Sequence, residues 1–300
     1  VAKYEPVETA AGDTADPRVR LLYLMQEREA IRLRRAIHKP VYSMMGRTAP
    51  VWTKDSILAR YRFCNVHRED DRVTRWIAEH WRKPNADNPD LWFAMLVARF
   101  INWPDTLQAL GFPVPWRPLH FLKVMADRKD DSLKCYGGAY MIRADSGNPG
   151  TPTAVYQERA LFSPAWAARG RLRPQPGDSL GSYHMLLGQL HGLGSFMTAQ
   201  IVADLKHEGG CPLAEAKDWW TFAASGPGSR RGLNRVLGRP VGSPWAEDEW
   251  RLELGRLHDW VRAEWAVEPM HAQDLQNCLC EFDKYERVRL GEGRPRARFP

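Results

Sequence analysis

Residues 190–199 read Leu190-His191-Gly192-Leu193-Gly194-Ser195-Phe196-Met197-Thr198-Ala199, with an apolar helical stretch on either side. Two glycines around one apolar residue let a chain reverse tightly, and the helix that follows presents its first amides outward. Such an end can accept a phosphate oxygen without a side-chain charge. An ordinary interhelical turn is the other reading, because G-x-G is a common pattern. In both cases two helices meet here, over about residues 181–207.

Helical signals extend outward from this hairpin in both directions. Asp16-Pro17 is an N-cap followed by proline at the first helical position, and the apolar residues from Leu21 to Leu33 then repeat among many arginines. A second helix, with or without a break, is expected from near Thr53 or Asp55 through Trp81, and Asn88-Pro89 opens another that ends by Trp103-Pro104. Further helices fit most of the chain up to residue 287. The exception is the middle, where Ala139 to Arg143 and Thr153 to Tyr156 look strand-like around an Asp-Ser-Gly-Asn-Pro-Gly turn and predict a small β-hairpin. Residues 1–15 read as a loose arm, 16–290 as a single helical domain, and 291–300 as a basic tail.

The chain has 300 residues with 44% hydrophobic content, enough for a real core. No stretch reaches the roughly 18 apolar residues of a membrane span, and the start lacks a signal-peptide layout, so an intracellular protein with no membrane partner is expected. The five cysteines (Cys64, Cys135, Cys211, Cys278 and Cys280) are scattered, which suits neither a disulfide framework nor a metal site. A net charge of +7 favours a polyanionic partner such as nucleic acid.

Three segments carry candidate chemistry. In Arg60–Trp76, read as a helix, Phe63, Val66, Val73 and Ile77 form one apolar stripe, and Asp70 lies in it. A carboxylate there must be functional or paired with an arginine. Asn65, Glu69 and Arg72 share a neighbouring face, flanked by Arg62 and Arg68. The run from Ser225 to Arg235 sets small residues beside Arg230 and Arg231 at a helix start, suited to gripping phosphate through amides and guanidinium forks; a solvated loop is the alternative. Finally, the helix carrying Lys284 and Arg287 runs into Gly293-Arg294-Pro295-Arg296. That tail suits a narrow minor groove, or serves only solubility.

The 190–199 turn resembles the helix-hairpin-helix of HhH-GPD DNA glycosylases, which grip a DNA backbone with it. The resemblance implies a mainly α, glycosylase-like fold with DNA contacts at Gly192, Leu193, Gly194 and Ser195. Asp218 follows at about the interval at which those enzymes carry a catalytic aspartate, although a helix cap explains it equally well. Their valine-aspartate pattern, the lysine of the bifunctional members and the iron–sulfur cysteines are all absent.

Two strings, RYRFCNVHREDDRVTRWI (60–77) and CEFDKYERVRLGEGRPRARF (280–299), resemble a helical family of bacterial viruses that hypermodify thymidine. The family includes the amino acid:DNA transferases, also described as glutamyl/putrescinyl-thymine pyrophosphorylases, and the helical domain attached to 5-hydroxymethyluracil DNA kinases. The resemblance implies action in the infected bacterial host, on double-stranded DNA whose 5-hydroxymethyluracil has been activated as a pyrophosphate, with a free amino acid as second substrate. No G-x-x-x-x-G-K-[ST] occurs in the chain, so the transfer step is expected rather than phosphorylation, with a separate kinase as a possible partner. Glycine is the expected amino acid.

Transfer needs positive charge at the leaving pyrophosphate, from Arg62, Arg68, Arg230 and Arg231 with Asn65 beside them. It also needs a base for the incoming ammonium, with Asp70, Glu69 and Asp218 expected in that order. DNA contacts are expected at Lys284, Arg287, Arg294 and Arg296. No metal site or cofactor is required, although a divalent cation on the pyrophosphate is compatible. Base excision by a glycosylase is the first alternative, and a non-catalytic DNA-binding partner of the kinase is the second.

Overall fold

The computed structural model describes residues 16–37, 52–138, 147, 148, 150–265 and 269–295. By internal packing the chain divides into two compact units, where the sequence suggests one domain over 16–290. A terminal unit joins the residues up to Asp71 with those from Ser225 onward, and a central unit spans Arg72–Ala224. The arm at 1–15, the strand expected at Ala139–Arg143 and Arg296 lie outside the described residues.

The terminal unit begins with α1 (Pro17–Ile37) and α2 (Ser56–Arg60). α1 buries Leu21, Leu24, Met25, Arg28, Glu29 and Ile31, one stripe at helical spacing. Asp55 caps α2 by accepting the amides of Ile57 (2.9 Å) and Leu58 (3.0 Å).

The central unit holds α3 (Arg72–Ile77), α4 (Leu91–Ile101), α5 (Pro104–Leu110), α6 (Pro118–Asp130), α7 (Thr153–Gln157), α8 (Ser163–Ala167), α9 (Arg169–Leu172), α10 (Leu180–Leu187) and α11 (Ser195–Leu205). α4 is apolar nearly all round and accordingly buries every residue but Phe100. It ends where Asn102 turns left-handed ahead of Trp103-Pro104. Along α4 and α11 runs a closed ion cluster. The Arg99 guanidinium grips Asp204 (2.6 and 2.5 Å) and Thr74 Oγ1 (3.2 Å), while Arg82 meets Glu208 (2.5 Å) and Asp204 (3.6 Å).

The terminal unit resumes with α12 (Pro227–Val236), α13 (Glu247–Glu264) and α14 (Ala272–Arg289). α12 lies against α14 through Gly228 and Gly232. A Cβ on Gly232 would collide with the Leu279 carbonyl, and one on Gly228 with the Cys280 sulfur, so only glycine permits this approach.

Two expectations are corrected. Thr153–Tyr156 is helical, so the β-hairpin is not formed as read; among the described residues the fold is helical. The four-residue window hides the longer period: Gln157, Leu161, Phe162 and Ala165 are buried at helical spacing, and burial of that stripe decides the local structure. The helix expected from residue 53 or 55 to 81, with or without a break, is interrupted over residues 61–71. α2 stops at Arg60, the chain runs extended past Tyr61, a 3-10 turn covers Arg68–Asp70, and α3 follows. Phe63 and Val66 are buried, but not as a helical stripe with Val73 and Ile77. The Phe63 and Cys64 carbonyls accept hydrogen bonds from Arg28 (2.9 and 3.1 Å) instead of helical amides.

Candidate functional site

In the terminal unit the segment 61–71 is tied, step by step, to one face of α14. Asp274 accepts the Arg68 amide (3.0 Å) and lies 3.2 Å from both His67 Nδ1 and His271 Nε2. One turn on, the Asn277 amide reaches the Asn65 carbonyl (3.4 Å), and the Cys278 thiol lies 3.8 Å from that of Val66. After another turn Glu281 accepts the Cys64 amide (3.0 Å). Lys284 then pairs with Glu281 (2.5 Å), donates to the Arg62 carbonyl (3.0 Å) and sits over the Phe63 ring. Residues three and four apart share a helix face, so residues 61–71 of the first string form one seam with the α14 face that runs from Asp274 into the start of the second.

Electrostatics follow from this packing. Burial by itself would raise the Asp274 pKa, but His271, the His67 hydrogen bond and the Arg68 amide outweigh it, and the carboxyl titrates below its ordinary value. Cys64 is an exposed residue, yet its thiol is pushed well up, chiefly by the Glu281 carboxylate and then by its crowded surroundings. It therefore stays protonated and is a poor nucleophile.

Asp70 and Glu69 stand at the edge of this seam. Asp70 pairs with Arg32 (3.2 Å) and keeps 23% side-chain exposure. An arginine partner is one of the two roles expected of it. Its carbonyl accepts the Asn65 side-chain amide (2.9 Å). Glu69 lies 3.4 Å from the guanidinium of Arg68, which is nearly buried. Arg62 is exposed, with its carbonyl on Lys284.

The segment 225–235 is not a solvated loop. Arg230 is held by Ser225 Oγ (2.8 Å), the Trp245 carbonyl (3.4 Å) and Glu247 (2.9 Å). Burial opposes ionisation of Glu247, but Ser225, Arg230 and Arg251 overcome it and leave the carboxyl below its usual range. Arg231 points elsewhere, onto Asp283 of α14 (2.8 Å). Asp283 also receives Arg235 (3.0 Å) and Arg287 (3.5 Å). Arg294 is exposed.

The hairpin and Asp218 belong to the central unit. Gly192 has φ +84°, a torsion that excludes most side chains, whereas a Cβ on Gly194 would meet nothing within 4 Å. Leu193 is buried, Gly194 and Ser195 are exposed, and the Ser195 carbonyl accepts from His184 Nε2 (2.9 Å). Asp218 caps α10, its two oxygens accepting the Leu180 (2.7 Å) and Gly181 (3.0 Å) amides. The structure thus brings Arg62, Asn65, Arg68, Glu69, Asp70 and Lys284 together in one unit and leaves Asp218 and Gly192–Ser195 in the other.

Sequence reading misses Arg28, Asp274, Glu281 and Asp283. A signal exists for Asp274 and Glu281, because Asp274, Asn277, Glu281 and Lys284 make a polar row at helical spacing on an otherwise packed helix, a row that Asp283 does not share. Arg28 gives none; it looks like one more arginine of α1.

The family model described as the 5-hmdU DNA kinase, helical domain, matches residues 18–294 of this chain. No curated protein and no solved structure matches it. Among the described residues no helix is long and apolar enough to cross a membrane.

Proposed function

The chain belongs to the family of the 5-hmdU DNA kinase helical domain, and we propose that it works in hypermodification of viral thymidine as an amino acid:DNA transferase. In this reading the amine nitrogen of an amino acid, glycine first, bonds to the exocyclic methylene on C5 of a pyrophosphorylated 5-hydroxymethyluracil. The methylene C–O bond breaks, and pyrophosphate leaves with the electron pair. One proton must leave the ammonium before attack and a second after it, and a carboxylate of the 69–70 turn takes the first. Asp70 is the first choice, being half-buried, oriented by Arg32 and still open to solvent. Glu69 is the second. Asp218 is the weakest, because both its oxygens already accept amides.

The observation that carries the proposal is the seam itself. The family match covers the first segment and the second as far as residue 294, and residues 61–71 meet α14 with Arg62, Lys284 and the 69–70 carboxylates around them. Cationic groups there suit a departing polyphosphate better than a sugar cation. The target base has to leave the helix stack to meet a protein-bound amino acid.

The test is nucleoside mass spectrometry after incubating the chain with pyrophosphorylated 5-hydroxymethyluracil DNA and a panel of amino acids. The expected result is a nucleoside heavier by one amino acid, with pyrophosphate release that depends on that amino acid. Alkali-sensitive nicks without a new nucleoside would replace transfer by base excision. Binding with neither product would leave a DNA-binding partner of a kinase.

A further inference from the structure

We propose that Arg231 of α12 and Arg287 of α14, both set by the buried carboxylate of Asp283, form a two-pronged clamp for a diphosphate group. Asp283 is 1% exposed and meets three guanidinium groups: Arg231 through Nε at 2.8 Å, Arg235 through Nε at 3.0 Å, and Arg287 through Nε at 3.5 Å. The three do not have the same freedom. Arg235 is buried and also bound to Glu292; burial lowers its pKa, but the bonds to Glu292 and Asp283 more than restore it. It is closed. Arg231 and Arg287 have side chains 40% and 37% exposed. Arg231 spends Nε on Asp283 in a hydrogen bond, Arg287 Nε lies 3.5 Å from the same carboxylate without one, and among the described residues the terminal nitrogens of both meet no protein acceptor.

Three guanidinium groups therefore face two carboxylates, and the excess charge lies on the two outward forks. Arg231, fixed at Nε, keeps its terminal N–H groups for a bidentate oxyanion with little side-chain entropy left to lose, and Arg287, drawn to the same carboxylate by charge, can offer a second fork beside it. The other arginines compare poorly. Arg230, one residue away, is used up on Ser225, Trp245 and Glu247, and Arg68 is nearly buried against Glu69. The geometry has a sequence origin. Gly228 and Gly232 bring α12 close to α14, which puts Arg231 and Arg235, four residues apart, over Asp283. A positive φ at Gly291 then turns the chain back, so that the Glu292 and Gly293 amides reach the Arg287 carbonyl (2.7 and 3.2 Å).

The identification of the ligand as the diphosphate on an activated base rests on the proposed transfer; the anion site itself does not. The probe is inorganic pyrophosphate, titrated calorimetrically into the whole chain at one fixed low ionic strength, with orthophosphate and a plain unmodified duplex as separate arms. R231Q/R287Q should weaken pyrophosphate binding roughly tenfold or more, by a larger factor than it weakens plain-duplex binding, with the melting transition unmoved. R256Q removes an exposed charge of α13 and should leave pyrophosphate binding unchanged. R231K/R287K keeps the charge without the fork and should stay weak.

If the double variant melts early, the single variants R231Q and R287Q carry the comparison. No pyrophosphate binding by the unaltered chain, equal binding by the glutamine variants, or an equal loss in R256Q overturns the clamp. So does a loss confined to plain duplex, which would make these arginines a backbone grip. The mass-spectrometric assay on the same preparations keeps the two readings apart. A clamp without a new nucleoside ends only the transferase reading, and a new nucleoside at an unchanged rate from R231Q/R287Q ends only the clamp.

Discussion

Two charge clusters in this protein are built from the same parts and do opposite things. In the central unit Arg82, Arg99, Asp204 and Glu208 are all buried and, among the described residues, set two cations against two anions, with Thr74 on the Arg99 nitrogen that also holds Asp204. In the terminal unit three arginines share Asp283 and Glu292, and two of the three reach solvent. A balanced, dry cluster has no capacity left for a ligand, and removing one member strands a charge. An unbalanced cluster at the surface keeps donors for something that arrives later. Counting arginines, two against three, says little about the difference; exposure and charge balance separate the two regions.

The largest test of that contrast is Asp204→Asn. It leaves Arg99 and Arg82 short of countercharge inside the central unit and should cost about 3–5 kcal/mol of stability, read by denaturant unfolding. A loss no larger than that of a surface pair would erase the distinction between the two clusters. Next comes Asp274→Asn, at about 1–3 kcal/mol, because the 61–71 segment loses its anchor to α14. The folded pKa of Asp274 is depressed. Its stabilising effect is therefore present above the unfolded value of about 3.9 and is lost as pH falls through the lower folded value. The variant should show a shallower acid-side loss of stability than the unaltered chain, and parallel pH profiles would contradict the anchoring role.

Gly192→Ala follows, with about 1–2 kcal/mol from a left-handed torsion, whereas Gly194→Ala should be close to neutral for the fold. Duplex affinity of both, at one salt concentration, then reports whether the hairpin touches DNA at all. The smallest effect on stability is expected for Asp70→Asn, below about 1 kcal/mol for a partly exposed pair. Its transfer rate should nevertheless fall roughly 100-fold or more if Asp70 is the base. Near-normal turnover in that variant would move the role to Glu69 or make the pair with Arg32 purely structural.

Several of these residues are legible in the amino-acid sequence. Asp70 stands out because a helical reading sets it in an apolar stripe; that stripe does not form, but an arginine partner is one of two outcomes expected for it, and Arg32 supplies it. Gly192 is legible because few other residues accept a positive φ. Thr153–Tyr156 reads as a strand for want of context, since four residues cannot show whether burial repeats at two or at 3.6. Arg60–Trp76 reads as one helix for a different reason. Phe63 and Val66 are buried by α14 rather than by helical neighbours, and Arg28 occupies the carbonyls a helix would use.

By itself the sequence determined the helical class, the turn between two helices at 190–199, the basic character and the kinship with the 5-hmdU DNA kinase helical domain. These depend on local periodicity, backbone permissiveness and residue identity, all of which act over a few positions. Tertiary structure alone decided which charges are spent. Arg230 and Arg231 are neighbours in a run of small residues, yet one is consumed by Ser225 and Glu247 while the other keeps a guanidinium edge open over Asp283. A side chain's partner is set by which helix passes beside it, and here that was fixed by two glycines of α12 and a carboxylate some fifty positions further along the chain, at Asp283.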